Sequence, residues 1–180
     1  MKKLLALLII TLLISGCTSA TKVNSPGVVA PCDQIKLEEN AEKSVMLSCL
    51  DGSSEINFYQ LKGPLVLNVW GSWCEGCKQE MPYFVELHQH PVFKSGQIQM
   101  LGVNVEEKSI EDAIEYIQKS GMSWPNLADT SGVSKSIFGP GVPVTWFIDK
   151  EGKNVATKIG AYTNKQQLFD QFEKAFGVKL

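Results

Sequence analysis

The stretch WGSWCEGCKQE, residues 70–80, places two cysteines three positions apart at the end of an apolar run. The run GPLVLNVW (63–70) opens with a turn signal and continues with apolar, β-branched and aromatic residues, which is typical of a fully buried strand. From Glu75 the pattern becomes helical, with apolar side chains repeating at helical spacing between residues 81 and 88. The cysteine pair is therefore predicted at the corner where a buried strand ends and a helix begins.

A C-x-x-C pair at such a corner indicates thiol–disulfide chemistry. The free backbone N–H groups and the positive end of the helix dipole stabilise an anion, and the thiolate is the reactive form of cysteine. Cys74 can then attack a disulfide in another protein, and Cys77 lies close enough to resolve the mixed disulfide.

The remainder of the chain alternates between strand and helix patterns. A second strand is predicted at 97–105, and Ser109 is predicted to cap a helix that Gly121 ends. Further elements are a short extended piece near 123–129, a short helix at 131–138, a strand at 144–148, its returning partner at 154–160 and a last helix capped by Asn164. This order predicts an α/β domain with a central mixed sheet flanked by helices.

The N-terminus has the features of an export signal. Two lysines precede an apolar segment that is too short for a comfortable membrane span and ends in Ser15-Gly16-Cys17. This resembles the bacterial lipoprotein box and predicts a signal peptide at 1–16, although an ordinary cleaved signal stays open. Cys17 would then carry the lipid, 17–31 would be a flexible tether, and 32–180 would be the folded domain.

Five cysteines leave one thiol to explain in an exported protein. If Cys17 is lipidated, Cys74 and Cys77 form the near pair, and Cys32 and Cys49 form the far pair by elimination. A structural disulfide is the favoured interpretation of the far pair, while a second redox pair or a zinc site made by four cysteines stays open. The chain has a net charge of −2 and no arginine, which disfavours nucleic-acid binding.

Two separated motifs, VLNVWGSWCEGCKQEMPYF and GVPVTWFIDKEGK, resemble the thioredoxin superfamily and in particular the TlpA/ResA branch of membrane-anchored, extracytoplasmic thiol–disulfide oxidoreductases. The resemblance covers about 40–178 and implies a thioredoxin fold with an N-terminal extension.

The resemblance also implies roles for single residues. Cys74 matches the nucleophile, Cys77 the resolving cysteine and Trp73 the tryptophan before the nucleophile. Pro82 matches a proline inside the active-site helix. Pro143 matches a cis-proline that faces the cysteines and shapes the groove for the partner.

Three further positions bear on proton transfer and redox properties. Glu80 matches a glutamate thought to tune the sulfur pKa values or shuttle a proton in this branch. Asn68 stands where thioredoxins carry a buried aspartate, so it cannot act as an acid. Gly76 stands where many members have proline, which leaves the redox potential and the direction of electron flow open.

The expected function is reduction of disulfides in exported proteins, such as apocytochromes c, with electrons from a membrane thiol donor. Neither a cofactor beyond the Cys74–Cys77 disulfide nor a metal is expected. The protein would be lipid-anchored on the outer face of a single membrane or on the periplasmic side of a double envelope.

Two other functions stay open. A copper- or metal-binding lipoprotein of the same fold would explain His88 and His90, but positions two apart in a helix do not share a face, so a solvated helix end is the simpler interpretation. In a redox-inert surface lipoprotein, the Cys74–Cys77 disulfide would serve only to stabilise the fold. However, a disulfide that closes so short a loop adds little to the stability of the folded state.

Overall fold

The apolar run before the cysteine pair forms the centre of a seven-stranded sheet in the computed structural model, which describes residues 25–180. The strands are β1 (Met46–Cys49), β2 (Glu55–Asn57), β3 (Leu65–Trp70), β4 (Gln99–Val105), β5 (Asn126–Asp129), β6 (Val144–Ile148) and β7 (Asn154–Ile159). The helices are α1 (Glu75–His88), α2 (Pro91–Lys94), α3 (Ile110–Ser120), α4 (Lys135–Phe138) and α5 (Lys165–Phe176).

The strand order is β2-β1-β5-β4-β3-β6-β7. Strands β3, β4 and β5 run parallel, and the other pairs are antiparallel. All six residues of β3 are buried because strands lie on both sides of it and both faces of the sheet are covered. The mixed sheet with flanking helices agrees with the fold expected from the sequence.

Local sequence signals set the ends of the two long surface helices. The Ser109 hydroxyl accepts a hydrogen bond from the Asp112 N–H at the start of α3, and Asn164 Oδ1 accepts one from the Gln167 N–H at the start of α5. Gly121 ends α3 with a φ of 84°, a left-handed conformation that glycine adopts without strain. The predicted caps at Ser109, Gly121 and Asn164 are confirmed.

The sheet separates two apolar cores. One core lies under α1, α3 and α5 and includes Trp70, Phe84 and Phe172. The other core lies on the opposite face, between the sheet, α4 and the N-terminal segment, and includes Cys32 and Cys49. The reactive cysteines belong to the first core, so the two cysteine pairs lie on opposite faces of the sheet.

The segment before residue 32 packs on the domain from Gly27 onward. The Gly27 N–H donates to Gln118 O at 2.9 Å, the Val28 N–H donates to Met122 O at 2.8 Å, and Ala30 forms a bridge with Pro125. These contacts begin before residue 32, the predicted start of the folded domain, because composition alone does not show that backbone groups of small residues find partners in α3 and in the loop after it. The predicted signal peptide 1–16 and lipidation site Cys17 lie outside the described residues.

The hairpin of β1 and β2 was not foreseen from the sequence. It adds to the sheet through β1, whose Ser48 and Cys49 pair with Ala128 and Leu127 of β5. Within residues 25–180 no helix has the length and apolar character needed to cross a membrane.

Candidate active site

Cys74 lies at the N-terminal end of α1, in the position that caps the helix. It forms a disulfide with Cys77, with 5.2 Å between the two Cα atoms, and Cys74 Sγ accepts a hydrogen bond from the Cys77 N–H at 3.1 Å. Cys74 is 5% exposed and Cys77 is fully buried. In the reduced state, the same N–H group and the helix dipole would favour a negative charge on Cys74 Sγ.

Pro143 follows a cis peptide bond and directly precedes β6, the antiparallel neighbour of β3. The pairing of Val144 with Val69 brings this proline to the end of β3 from which the cysteine corner continues. A Cβ atom placed on Gly76 would lie 3.4 Å from Pro143 Cδ and 3.3 Å from Ala161 Cβ. Gly76 therefore lets the first turn of α1 and the cis-proline loop approach each other closely.

Glu80 lies one helical turn after Cys77 and is fully buried. Its Oε1 accepts a hydrogen bond from Asn68 Nδ2 at 3.0 Å, and its Oε2 accepts one from the Tyr162 N–H at 2.9 Å. Burial raises the pKa of Glu80 to about 7, because lost hydration outweighs the hydrogen bonds and the Lys158 charge that favour the ionised form. A carboxyl with this pKa can both accept and release a proton near neutral pH.

Asn68 occupies the middle of β3 beside Glu80. Its Nδ2 also donates to Thr145 Oγ1 at 3.2 Å, whereas its buried Oδ1 has no hydrogen-bond partner among the described residues. An amide does not titrate, so Glu80 is the proton-exchanging member of this pair. A protonated Glu80 gains an O–H donor, and a rotated Asn68 amide would offer its oxygen to that donor.

Trp73 precedes the nucleophile and is 48% exposed. Its Nε1 donates to Val105 O at 3.2 Å, and its ring lies so close to Gly71 that an added Cβ there would be 2.6 Å from Nε1. The indole is therefore held in place next to Cys74 in the chain while about half of the side chain remains exposed. Pro82 lies inside α1, and the helix continues through it.

Glu107 is a site residue that the sequence analysis missed. Its carboxylate accepts hydrogen bonds from the Ser72 N–H at 2.5 Å, from Ser72 Oγ at 2.7 Å and from Asn104 Nδ2 at 2.7 Å. These bonds join the end of β4 to the corner that leads into Cys74. The sequence did contain a signal for it, because Glu106 and Glu107 directly follow a predicted strand. Polar residues at the carboxyl ends of neighbouring parallel strands lie close together.

Cys32 and Cys49 form a second disulfide, with 6.2 Å between their Cα atoms, and both residues are buried. The register Cys49–Leu127–Val103–Val69 puts three strand spacings, about 14 Å, between this pair and β3. With Asp51, the two sulfurs form the one group of three possible metal ligands found within residues 25–180. In the disulfide the sulfurs are bonded to each other, so they are not thiolate ligands for a metal in this state.

His88 does not lie on a solvated helix end, and that part of the sequence interpretation is wrong. Its ring packs against Phe93 and Trp124, and its Nδ1 lies 3.3 Å from Ser123 Oγ. Burial lowers the pKa of His88 to about 4, so the ring is neutral at physiological pH. His90 instead accepts a hydrogen bond from the Val92 N–H, and the structure does not bring the two imidazoles into a metal site with cysteine or carboxylate ligands within the described chain.

Comparisons with known proteins give a consistent result. The family model described as "AhpC/TSA family" matches residues 34–157. The thiol–disulfide oxidoreductase ResA of Bacillus thuringiensis (strain Al Hakam) is 32% identical over 166 residues, covering 91% of this chain and 92% of that protein. ResA of Bacillus subtilis (strain 168) is 36% identical over 129 residues, covering 71% of this chain and 64% of that protein.

The fold is also found among solved structures. StoA from Bacillus subtilis superposes with a TM-score of 0.56 at 23% sequence identity, covering 71% of this chain and 95% of that chain. At this identity the likeness supports the fold, while the resemblance to the ResA proteins extends over almost the whole chain.

Proposed function

The chain belongs to the AhpC/TSA family of the thioredoxin superfamily, within which it is a thiol–disulfide oxidoreductase of the ResA type, and we propose that it reduces disulfides in exported proteins while anchored to a membrane. The observation that carries the proposal is the Cys74–Cys77 disulfide at the N-terminal end of α1, with cis-Pro143 beside it and the buried carboxyl of Glu80 one turn further on.

The proposed reaction starts from the reduced pair. The Cys74 thiolate attacks one sulfur of the partner disulfide, which forms a mixed disulfide and releases the other partner sulfur as a thiolate that takes a proton from water. Cys77 then attacks Cys74 Sγ, which releases the second partner thiolate and closes the Cys74–Cys77 disulfide. Two electrons pass to the partner, and a membrane thiol donor returns the pair to the dithiol state.

Glu80 is proposed to carry the proton of the second step. The Cys77 thiol must lose its proton before it attacks, and the ionised carboxyl of Glu80 can accept that proton from one turn away. The protonated Glu80 then returns it to the departing partner thiolate. With a pKa of about 7, the carboxyl is divided between both forms at neutral pH, which suits a group that must accept and donate in one cycle.

The partner is proposed to dock across an apolar surface formed by Trp73, Val142, cis-Pro143 and Ile159. Ile159 is 75% exposed and Trp73 is 48% exposed, so both large apolar side chains are available for contact with a partner. The pairing of Ile159 with Val144 and the Gly160 N–H bond to Pro143 O place the end of β7 beside the cis-proline loop. An extended segment around the partner cysteine would suit this surface.

The cellular setting belongs to the same proposal. A signal peptide at 1–16 and a lipid on Cys17 would hold the domain outside the cytoplasm, on the outer face of a single membrane or the periplasmic side of an envelope. Reduction is preferred over oxidation by analogy with the family, and apocytochromes c are one class of exported protein whose cysteines must be reduced.

Trapping of mixed disulfides tests the proposal. A Cys77→Ala variant should accumulate proteins covalently bound through Cys74, because the resolving thiol is absent and the mixed disulfide persists. These adducts should disappear on addition of dithiothreitol, and mass spectrometry would identify the partners. The matched control is Cys74→Ala with Cys77 intact, which should trap far less because Cys77 is fully buried. Equal, negligible trapping by both variants would contradict the proposal.

A further inference from the structure

Glu80 has a charged neighbour that no part of the mechanism has used so far. We propose that Lys158 of β7 is a positioning residue for the thiol–disulfide reaction, and that its ammonium group supplies the positive charge that faces the Glu80 carboxylate from the edge of the sheet. The inference rests on the proposed role of Glu80 and adds a charged group that favours its ionised form.

The sheet register places Lys158 on the Glu80 side. Lys158 pairs with Thr145 of β6, and Thr145 pairs with Asn68 of β3, so the three side chains form one row on one face of the sheet. Asn68 Nδ2 donates to both Thr145 Oγ1 and Glu80 Oε1. Two strand spacings, about 10 Å, separate the backbone of Lys158 from that of Asn68. The row therefore runs from the buried carboxyl to a lysine on the edge strand.

Tyr162 provides a second connection. Its backbone N–H donates to Glu80 Oε2 at 2.9 Å, and Lys158 Nζ lies 5.6 Å from the centroid of its ring. Lys158 Nζ also donates to Ile159 O at 3.1 Å, which keeps the ammonium over the ring. Lys158 therefore contacts the same residue whose backbone N–H binds the Glu80 carboxylate.

The charge of Lys158 is not neutralised by an acidic partner. Within residues 25–180, none of the ion pairs between lysines and carboxylates includes it. Its positive charge is therefore available to the Glu80 carboxylate, and it is among the causes that lower the pKa of Glu80 against the effect of burial. Removal of the charge should raise that pKa further.

The other groups around Glu80 do not supply this charge. Tyr116 of α3 and Tyr162 both have raised pKa values, because they are partly buried and because the negative charge of Glu80 disfavours a second anion, so both are neutral near pH 7. Asn68 and Thr145, from β3 and β6, do not titrate in this range. On α1 itself the nearest ionisable group is Cys77, which is bonded in the oxidised state.

The test is to measure the Glu80 titration directly by carbon-13 NMR of its carboxyl in the oxidised full-length protein. Lys158→Met removes the charge and keeps a stem that can cover Tyr162, and we expect the pKa of Glu80 to rise by about 0.3 to 1 pH unit, which is typical for the loss of one nearby charge that solvent partly screens. Lys158→Arg keeps the charge and should leave the titration unchanged. Lys153→Met, on the same hairpin, is the matched control and should also leave it unchanged.

A second readout connects the titration to the reaction. The substrate is a small peptide that contains a disulfide, and the measured quantity is the rate at which Cys77 resolves the mixed disulfide. The pH at which this rate reaches half its maximum should rise in Lys158→Met by the same amount as the NMR pKa of Glu80. If Lys158→Met does not fold, Lys158→Gln takes its place with the same expectation.

An unchanged pKa of Glu80 in Lys158→Met or Lys158→Gln would overturn the inference. An equal rise of that pKa in Lys158→Arg would also overturn it, because the effect would then come from packing and not from the charge. The NMR titration does not depend on any partner. A failure of the trapping experiment would therefore bear on the proposed function and leave the link between Lys158 and Glu80 standing.

Discussion

The charge of Glu80 depends strongly on the fold. In an unfolded chain its carboxyl would ionise near its usual value of 4.5, whereas burial behind Asn68 and Tyr162 holds its pKa near 7. The folded state therefore binds this proton more tightly than the unfolded state. The contribution is fully present below about pH 4.5 and is lost as the pH rises through about 7.

This difference predicts a pH-dependent stability that Glu80→Gln should remove. Between pH 4.5 and pH 8 the oxidised wild-type protein should lose about 3 kcal/mol of unfolding free energy through this one group, because each pKa unit corresponds to about 1.4 kcal/mol. The lowered pKa of His88 acts in the opposite direction in both proteins, so urea unfolding of the wild type and the variant at several pH values isolates the contribution of Glu80 as the difference between the two profiles. The unfolding free energy of the glutamine variant should rise relative to that of the wild type by about 3 kcal/mol over this range. An equal slope in both proteins would argue against the raised pKa.

The sequence analysis identified the reactive residues of the site but not the residues that form hydrogen bonds or charge interactions with them. Cys74 and Cys77 follow from a C-x-x-C motif at a strand-to-helix corner, and the resemblance to the TlpA/ResA branch implied a role for Glu80. Tyr162, which donates to Glu80, lies 82 residues away, and Lys158 reaches the same site only through strand register. Such contacts depend on the order of strands, which a local pattern does not contain.

At the scale of elements, the corner between β3 and α1 depends on a residue from another strand. Glu107, just beyond β4, accepts two hydrogen bonds from Ser72 and one from Asn104. The neighbouring Glu106 has a φ of 55°, a left-handed conformation, and is paired with Lys135. The chain therefore accepts local backbone strain where it turns Glu107 towards the cysteine corner.

Glu107→Gln should weaken this corner. An amide offers one acceptor oxygen in place of two and carries no charge, so the unfolding free energy should fall by about 1 to 2 kcal/mol. The rate at which reduced Cys74 reacts with iodoacetamide should also change, since the preceding residues lose their anchor. Glu42→Gln, in an exposed loop, is the control and should change stability by less than about 0.5 kcal/mol. The same small change at Glu107 would mean that its hydrogen bonds do not hold the corner.

Helix ends were predicted correctly because their causes are local. Ser109, Gly121 and Asn164 each satisfy or terminate a helix through atoms a few residues away. The β1–β2 hairpin was missed because its strands have only four and three residues, and β1 gains its place by pairing with β5 far along the chain. His88 was misjudged for a related reason, since Trp124, which covers it, follows the next helix but one.

At the scale of the whole molecule, the two disulfides occupy separate regions. Cys74–Cys77 lies in the core under α1, α3 and α5, and Cys32–Cys49 lies in the core on the other face. The second disulfide joins the N-terminal segment to β1, and both of its cysteines are buried. This link between the N-terminal segment and the sheet favours a structural role for the disulfide.

Replacement of both Cys32 and Cys49 by alanine tests that role. The chain-entropy model gives a loss of about 3 kcal/mol in unfolding free energy for a loop of this length. Reduction of Cys74–Cys77 by dithiothreitol should proceed at its wild-type rate in the folded variant, because the sheet separates the two sites. A changed reduction rate or potential at Cys74–Cys77, with little loss of stability, would instead identify Cys32–Cys49 as a second redox pair.

The separation of the two disulfides by the sheet also limits how many electrons one molecule can give to a partner protein in one encounter. If Cys32–Cys49 is structural, as proposed, it does not pass electrons to Cys74 and Cys77, and one molecule stores a single two-electron equivalent. Under the proposed function, the protein would then have to return to its donor after every partner. The rate at which exported proteins are reduced would then depend on how often the domain moves between its donor and its partners. A larger amount of the protein in the oxidised form would not increase that rate.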